Sequence, residues 1–392
     1  MKKVIAVSLF SFLLFYSCTE ESQFQEDQTN SFNTDAIITK QRSLMSLDII
    51  ESISQKMDEI KTAQLNSLTA KKKNSDCQKT VFVPDDYPTI QEALFAVCEN
   101  GKVFVRSGVY NESPGTDKEG LFIKAIGDVT LNGGFGLLAN NIKIHNFKID
   151  NTTSIWGEVG IASESGSNGF DIKGNTIYGS GHLGIYLPYC DNASIVQNQI
   201  SGDMEAGIFI DAFIFELFGI EHPFGGNTNN TITNNTVTNL IADLDNFYPA
   251  YGIVIRGDTD NTRIQGNTVN TTNGWGISLE SWAEFDLYCD NNIVKNNVST
   301  NNALNGLEVF GGGSNNVIGP NNECYDNDEI GIHLYAAKDF FSDFYDFDGD
   351  EGPTNNSVFN NSAFNNGICD IVDEGSGNSF KNNNADCTVG LE

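Results

Sequence analysis

Two short patterns alternate along most of this chain. The first is a glycine followed by aliphatic residues at every second position. It occurs as Gly160-Ile161, Gly184-Ile185-Tyr186-Leu187, Gly207-Ile208-Phe209-Ile210, Gly252-Ile253-Val254-Ile255, Gly276-Ile277-Ser278-Leu279, Gly306-Leu307-Glu308-Val309 and Gly331-Ile332-His333-Leu334. The second is an aliphatic residue, asparagine three positions later and an aliphatic residue five later. It reads Ile172/Asn175/Ile177, Ile195/Asn198/Ile200, Ile232/Asn235/Val237, Ile264/Asn267/Val269 and Ile293/Asn296/Val298, continued loosely by Val358/Asn361/Ala363 and Phe380/Asn383/Ala385. From residue 169 to 309 the two alternate without exception, and the glycine pattern returns at 331–334. Period-two alternation predicts short strands that bury one face and turn the other outward.

The spacing selects the architecture. Ile172 and Ile195 stand about 23 residues apart, the length of one solenoid coil. Such a coil holds three short strands and three turns, each strand stacking on its counterpart at about 4.8 Å. Asparagine suits the bends, because it tolerates the left-handed backbone region and its amide can bond to the next asparagine along the stack. A leucine-rich repeat would need its leucine spacing and a helical segment, and a propeller would need a longer period. The expected fold is all-β, a right-handed parallel β-helix with three sheets.

At the start of this region, Thr89 and Glu92 form a capping box ahead of Ile90, Ala93, Leu94 and Val97, which predicts a helix over Thr89–Cys98. Asn100-Gly101 ends it, and Lys102 to Val105 follow as a strand. This helix–turn–strand opening resembles the N-terminal cap of the pectin-lyase-like β-helix superfamily, where a helix covers the apolar end of the first coil. The resemblance spans residues 77–392 and implies a substrate cleft on one outer sheet, walled by loops. It stops at the scaffold. Gly108, Tyr110 and Glu112, and the run Asp211 to Phe215, match pectin methylesterase motifs only in part. The paired Asp and Gly-His-Gly of polygalacturonases and the Asp-Pro-His-Asp of alginate epimerases are missing.

Ahead of residue 77 the pattern changes. Lys2, Lys3 and the apolar run Val4 to Tyr16 read as a signal peptide over residues 1–18. Phe15-Tyr16-Ser17-Cys18 resembles a bacterial lipobox, which implies lipidation of Cys18 and a lipoprotein held at the outer membrane, on its periplasmic or outer side. The acidic residues after Cys18 resemble those of exported Bacteroidetes lipoproteins. Residues 19–76 are expected to form a polar tether and then an amphipathic helical segment, with Leu47, Ile50, Ile53, Met57 and Ile60 on one stripe. Export permits disulfides. Cys77 with Cys98 and Cys369 with Cys387 are the candidate bridges, while Cys190 and Cys289, in matching Tyr-Cys-Asp-Asn contexts, are expected as interior fillers.

Charge narrows the partners. With 22 Lys+Arg against 52 Asp+Glu, a formal charge of -30, the chain repels nucleic acid, and no nucleic-acid partner is expected. The outward positions of the Gly-Ile strands are Tyr186 and Pro188, Phe209 and Asp211, Val254 and Arg256, Ser278 and Glu280, Glu308 and Phe310, His333 and Tyr335. They are expected to face solvent as a polysaccharide groove. Tyr186, Phe209, Phe310, Tyr335 and the loop residue Trp282 would stack on sugars, and Asp211, Arg256, Glu280, Glu308 and His333 would carry chemistry. A uronate lyase would use Arg256 or calcium to neutralise the substrate carboxylate, with His333 or Tyr335 as base or acid. A hydrolase would use two of the carboxylates. Arg256 pairing with Glu280 is the structural alternative. Three insertions, Ala212 to Asn229, Ser281 to Phe285 and Ala336 to Pro353, leave one edge of this sheet and would wall the groove. In the last, Asp346, Asp348 and Asp350 are spaced like calcium ligands, although the run departs from the EF-hand pattern. Calcium is thus the candidate cofactor, and a solvated acidic loop the alternative. Two functions are carried forward: a β-helix lipoprotein that binds or cleaves polysaccharide, and a non-catalytic adhesin-like or structural β-helix. The oligomeric state is left open.

Overall fold

The structure, a computed structural model, describes residues 77–213, 224–242, 249–336 and 352–391, with four isolated helical positions, Gln55, Asp58, Glu59 and Thr62. The chain winds as a right-handed parallel β-helix. One sheet holds 11 strands, each paired in parallel with the rung before and after it; it is called the first sheet here. The other two faces share a continuous set of 21 strands. Ile161, Ile185, Ile208, Ile253, Ile277, Leu307, Ile332 and Ile371 stack in register along the first sheet. All are fully buried, within a core cluster that extends from Val81 to Ile371. The glycine ahead of each but the last, which follows Asp370, is required by space. A Cβ on Gly184 would lie 2.4 Å from the Gly207 carbonyl oxygen and 2.8 Å from Ile200 Cγ2, so no larger residue fits where the coil turns onto this sheet.

The asparagine positions do two jobs on neighbouring residues. The left-handed backbone falls on the residue before the repeat asparagine: Gly174 (φ 66), Gln197 (φ 56), Asn234 (φ 54) and Gly266 (φ 67). The repeat asparagine itself turns inward. Asn198 Nδ2 donates to Ile172 O at 2.9 Å and to Asn235 Oδ1 at 3.0 Å, and Asn235 and Asn267 repeat the pattern one rung further on. Each amide thereby satisfies a buried carbonyl and the next amide.

One expected register is wrong by a residue. In the rung read as Ile293/Asn296/Val298, the buried positions are Val294, Asn297 and Ser299, paired with Ile264, Asn267 and Val269. Asn296 takes the left-handed position (φ 55). Hydrophobicity favours Val298 inside over Ser299, but a one-residue slip would take Asn292, Asn297 and Asn302 out of their three stacks at once. Ser299 is accommodated by donating to Gly306 O at 2.6 Å.

The capping helix, Ile90–Ala96, ends two residues short of the expected Cys98, and the strand Val97–Asn111 begins at once. One loop clamps both ends of it. Glu112 accepts from Ile90 N and Gln91 N at 2.8 and 2.9 Å, and Lys118 Nζ donates to the carbonyls of Leu94, Phe95 and Val97. Glu112 therefore serves the cap, and Tyr110 bonds to Arg106 O. Disulfides Cys77–Cys98 and Cys369–Cys387 staple the two ends of the solenoid. Cys190, Cys289 and Cys324 lie in the core, where burial pushes the Cys324 thiol up to about 12. Among the described residues no helix is long and apolar enough to cross a membrane. Cys18, the helical stripe from Leu47 to Ile60, most of the first and third insertions, and Asp346, Asp348 and Asp350 fall outside the described residues.

Candidate functional site

Outside the first sheet, parallel pairing sets the outward residues in two columns. One runs Tyr186, Phe209, Val254, Ser278, Glu308, His333; the other runs Pro188, Asp211, Arg256, Glu280, Phe310, Tyr335. The stripe is contiguous as the repeats require. It does not face solvent. Asp211 is 0% exposed, Arg256 3%, Glu280 and Glu308 1% each and His333 5%. Alternation identifies the outer face of a sheet and carries no information about what lies over it. Here Phe213, Trp282, Leu287 and Phe310 form an outer cluster, with Phe285 and Tyr335 packed against it. Trp282 stacks on Phe213 at 4.6 Å, and Phe310 on Tyr335 at 5.4 Å. Tyr186 and Phe209 meet at 5.5 Å within a second outer cluster toward the N-terminal rungs.

The middle of the stripe is an ion pair. Arg256 Nε and Nη2 donate to Asp211 Oδ1 and Oδ2, both at 2.9 Å. The guanidinium lies 4.6 Å from the Phe209 ring centre and 5.1 Å from that of Phe213. Asp211 also accepts from Phe213 N at 3.2 Å and, more weakly, from Tyr186 Oη at 3.4 Å. Burial opposes the Arg256 charge, but the Asp211 carboxylate outweighs it and holds the guanidinium protonated. Burial, then the Asp211 charge, push the Tyr186 phenol well up. The planar fork meets the Asp211 carboxylate on the preceding rung, and the Glu280 charge on the following rung also favours its protonated form.

Toward the C-terminal rungs the stripe becomes a polar chain. Ser278 Oγ lies 3.5 Å from Glu280 Oε1 and 3.4 Å from Glu308 Oε1. Those two carboxylate oxygens are therefore at most about 7 Å apart, within the upper range for carboxyl pairs that cleave glycosidic bonds. Asn305 Nδ2 donates to Glu308 Oε2 at 2.6 Å and faces His333 Nδ1 at 3.2 Å. His333 Nε2 lies 3.3 Å from Glu374 Oε1, on a side chain that is 40% exposed. The chain thus runs from a buried carboxyl pair to the surface. Asn305, Phe213 and Glu374 were not expected as site residues. Asn305 precedes a repeat glycine and Phe213 follows Asp211 by two, so their sequence positions carried a signal; Glu374 had none.

Residues 216–343 match the family model of the right-handed β-helix region, and residues 60–214 match that of the periplasmic copper-binding protein NosD. No curated relative matches the chain. Among solved structures, the chain is similar to pectate lyase Pel9A (14% identity, 77% of this chain and 72% of the other, TM-score 0.49). It is also similar to the periplasmic alginate epimerase AlgG (14%, 78% and 84%, 0.44) and to the Dettilon tailspike protein (16%, 80% and 68%, 0.45). None of these superpositions is close enough to carry residues across.

The donors within the second match do not suit copper, which selects imidazole, thiolate and thioether. His145 pairs with Asp171 at 3.0 Å, and His182 with Glu205 at 3.0 Å. Met204 and Cys190 are core residues, and Cys77 is bonded to Cys98. Among the described residues no group of three His, Cys, Asp or Glu could hold a metal ion. The strand register and the family match together make the chain a right-handed parallel β-helix.

Proposed function

We propose that the outer face of the first sheet binds a polysaccharide and hydrolyses it, with Glu280 and Glu308 as the carboxyl pair. One observation carries this reading: consecutive rungs bring Glu280, Ser278, Glu308, Asn305 and His333 into a single polar chain beside the Phe213, Trp282, Phe310 and Tyr335 cluster. Two carboxyl groups linked through one hydroxyl supply the two groups that general acid and base catalysis of glycosidic cleavage requires. Hydrolysis is favoured over lyase chemistry because Arg256 is committed to Asp211 and does not offer itself to a substrate carboxylate. Glu374 and the half-buried Tyr335 mark the end from which a sugar chain would approach. The chain acts outside the cytoplasm in this reading, which the two disulfides support. Lipidation at Cys18 and a tether over residues 19–76 would hold it at the outer membrane.

The test is to incubate the full chain with neutral and uronate polysaccharides, with and without calcium, following reducing ends and unsaturated products. New reducing ends without unsaturation, lost in Glu280→Gln and Glu308→Gln, are expected. Unsaturated products would replace hydrolysis with elimination, and no binding to any glycan would overturn the reading. The burial of all five charged residues favours one alternative, a binding or structural β-helix in which they only hold the outer face together. Binding without turnover, with the Gln variants altered in stability alone, would establish that alternative.

A further inference from the structure

The orientation of one amide determines where a proton sits. Asn305 is 4% exposed, and Ile330 N donates to its Oδ1 at 3.1 Å. An amide whose oxygen is engaged on one side presents its NH2 group to the other. On that side lie Glu308 Oε2 at 2.6 Å and His333 Nδ1 at 3.2 Å. Both must accept. A neutral imidazole with Nδ1 as acceptor carries its proton on Nε2. That Nε2 is buried and makes no hydrogen bond; Glu374 Oε1 is within ion-pair distance but out of alignment. A buried N–H without a hydrogen bond is unfavourable, so this donor is kept at a cost to stability.

We propose that Asn305 is a positioning residue that locks His333 as the Nε2–H tautomer, and that this N–H is the donor reserved for an oxygen of the glycan. The inference rests on the carbohydrate reading above for its ligand, but not for its tautomer. It gives His333 a definite role among those the sequence left open: in the resting site it donates through Nε2 and does not act as a base there. The ligand oxygen takes the place beside Nε2 that the exposed Glu374 carboxylate approaches, so a hydroxyl or bridging oxygen of a sugar fits. A ligand group that can only donate does not fit.

The experiment is a long-range 1H–15N correlation spectrum of the full chain labelled with 15N-histidine. It is recorded at about pH 8, where ordinary imidazoles are neutral. His333→Gln assigns the His333 signals among the four histidines. The wild type is expected to show the neutral Nε2–H pattern. Asn305→Asp keeps an oxygen for Ile330 N but offers His333 an acceptor, so its pattern should move to Nδ1–H. An Nδ1–H wild type, or an Nε2–H pattern that Asn305→Asp leaves unchanged, overturns the role of Asn305. A cello-oligosaccharide and an oligogalacturonate, one neutral and one acidic, are then titrated. Whichever binds should shift His333 Nε2, and Asn305→Asp should weaken it about tenfold. A glycan that binds with Nε2 unmoved overturns the donor role. If neither binds, the carbohydrate reading fails and the ligand half of this inference with it. The tautomer in the unliganded chain still decides the role of Asn305.

Discussion

Replacing Arg256 by methionine tests whether the middle of the stripe is held by charge. The substitution keeps most of the volume and removes two hydrogen bonds of 2.9 Å each. It leaves the fully buried Asp211 with Phe213 N and a long contact to Tyr186. Breaking a buried pair from one side is unfavourable by about 3–5 kcal/mol, because the remaining charge has no compensation. Loss of the guanidinium from between Phe209 and Phe213 adds up to about 2 kcal/mol where the cation is desolvated. Asp211→Leu alone should do comparable damage from the other side. The double variant Asp211→Leu/Arg256→Met removes both charges, so its loss should fall well short of the two singles added together, with a coupling of about 3 kcal/mol. Urea unfolding followed by far-UV circular dichroism measures all four proteins, and equal slopes in denaturant license the comparison. An Arg256→Met loss below about 1 kcal/mol, or additivity in the double variant, would refute the account, since either means water reaches the pair.

Three further outcomes follow from the rungs. Asp260→Asn should stabilise the protein by about 1–2 kcal/mol at neutral pH after allowance for solvent screening. Burial, then the Asp258 and Asp290 charges, push the Asp260 carboxyl up to about 6, and an asparagine can still accept from Asp290 N as Asn168 accepts from Asp191 N. Because this carboxyl is raised in the folded state, the wild type gains stability as pH falls from about 6 toward 4; the advantage of the variant should shrink over that window, and a constant difference would exclude the mechanism. Asn267→Ala removes the amide that serves Ile232 O, Asn297 Oδ1, Asn235 N and Asn235 Nδ2, and should lower thermal stability by about 3 kcal/mol or more. Ile293→Lys should be tolerated within about 1 kcal/mol while Val294→Lys prevents folding; the reverse order would restore the register that hydrophobicity alone suggests.

The sequence by itself determined the solenoid, the alternation of its strands, the columns of outward residues and the two cysteine pairs that prove to be bonded. Each of these depends on a coil and its nearest neighbours, so a repeat of a few residues encodes it. It determined less where the repeat was ambiguous: around Ile293, two adjacent aliphatic residues and two adjacent asparagines allow two registers, and only three amide stacks acting together choose between them. The tertiary structure alone decided that the outer stripe is covered, that Arg256 meets Asp211 on the rung before it, and that Asn305 joins Glu308 to His333. Those contacts involve side chains brought over the sheet from segments without periodicity and from other rungs, and a pattern along one strand does not specify them. The chemistry proposed for this protein draws on that outer layer, which is why the scaffold was legible from the chain and the candidate site was not.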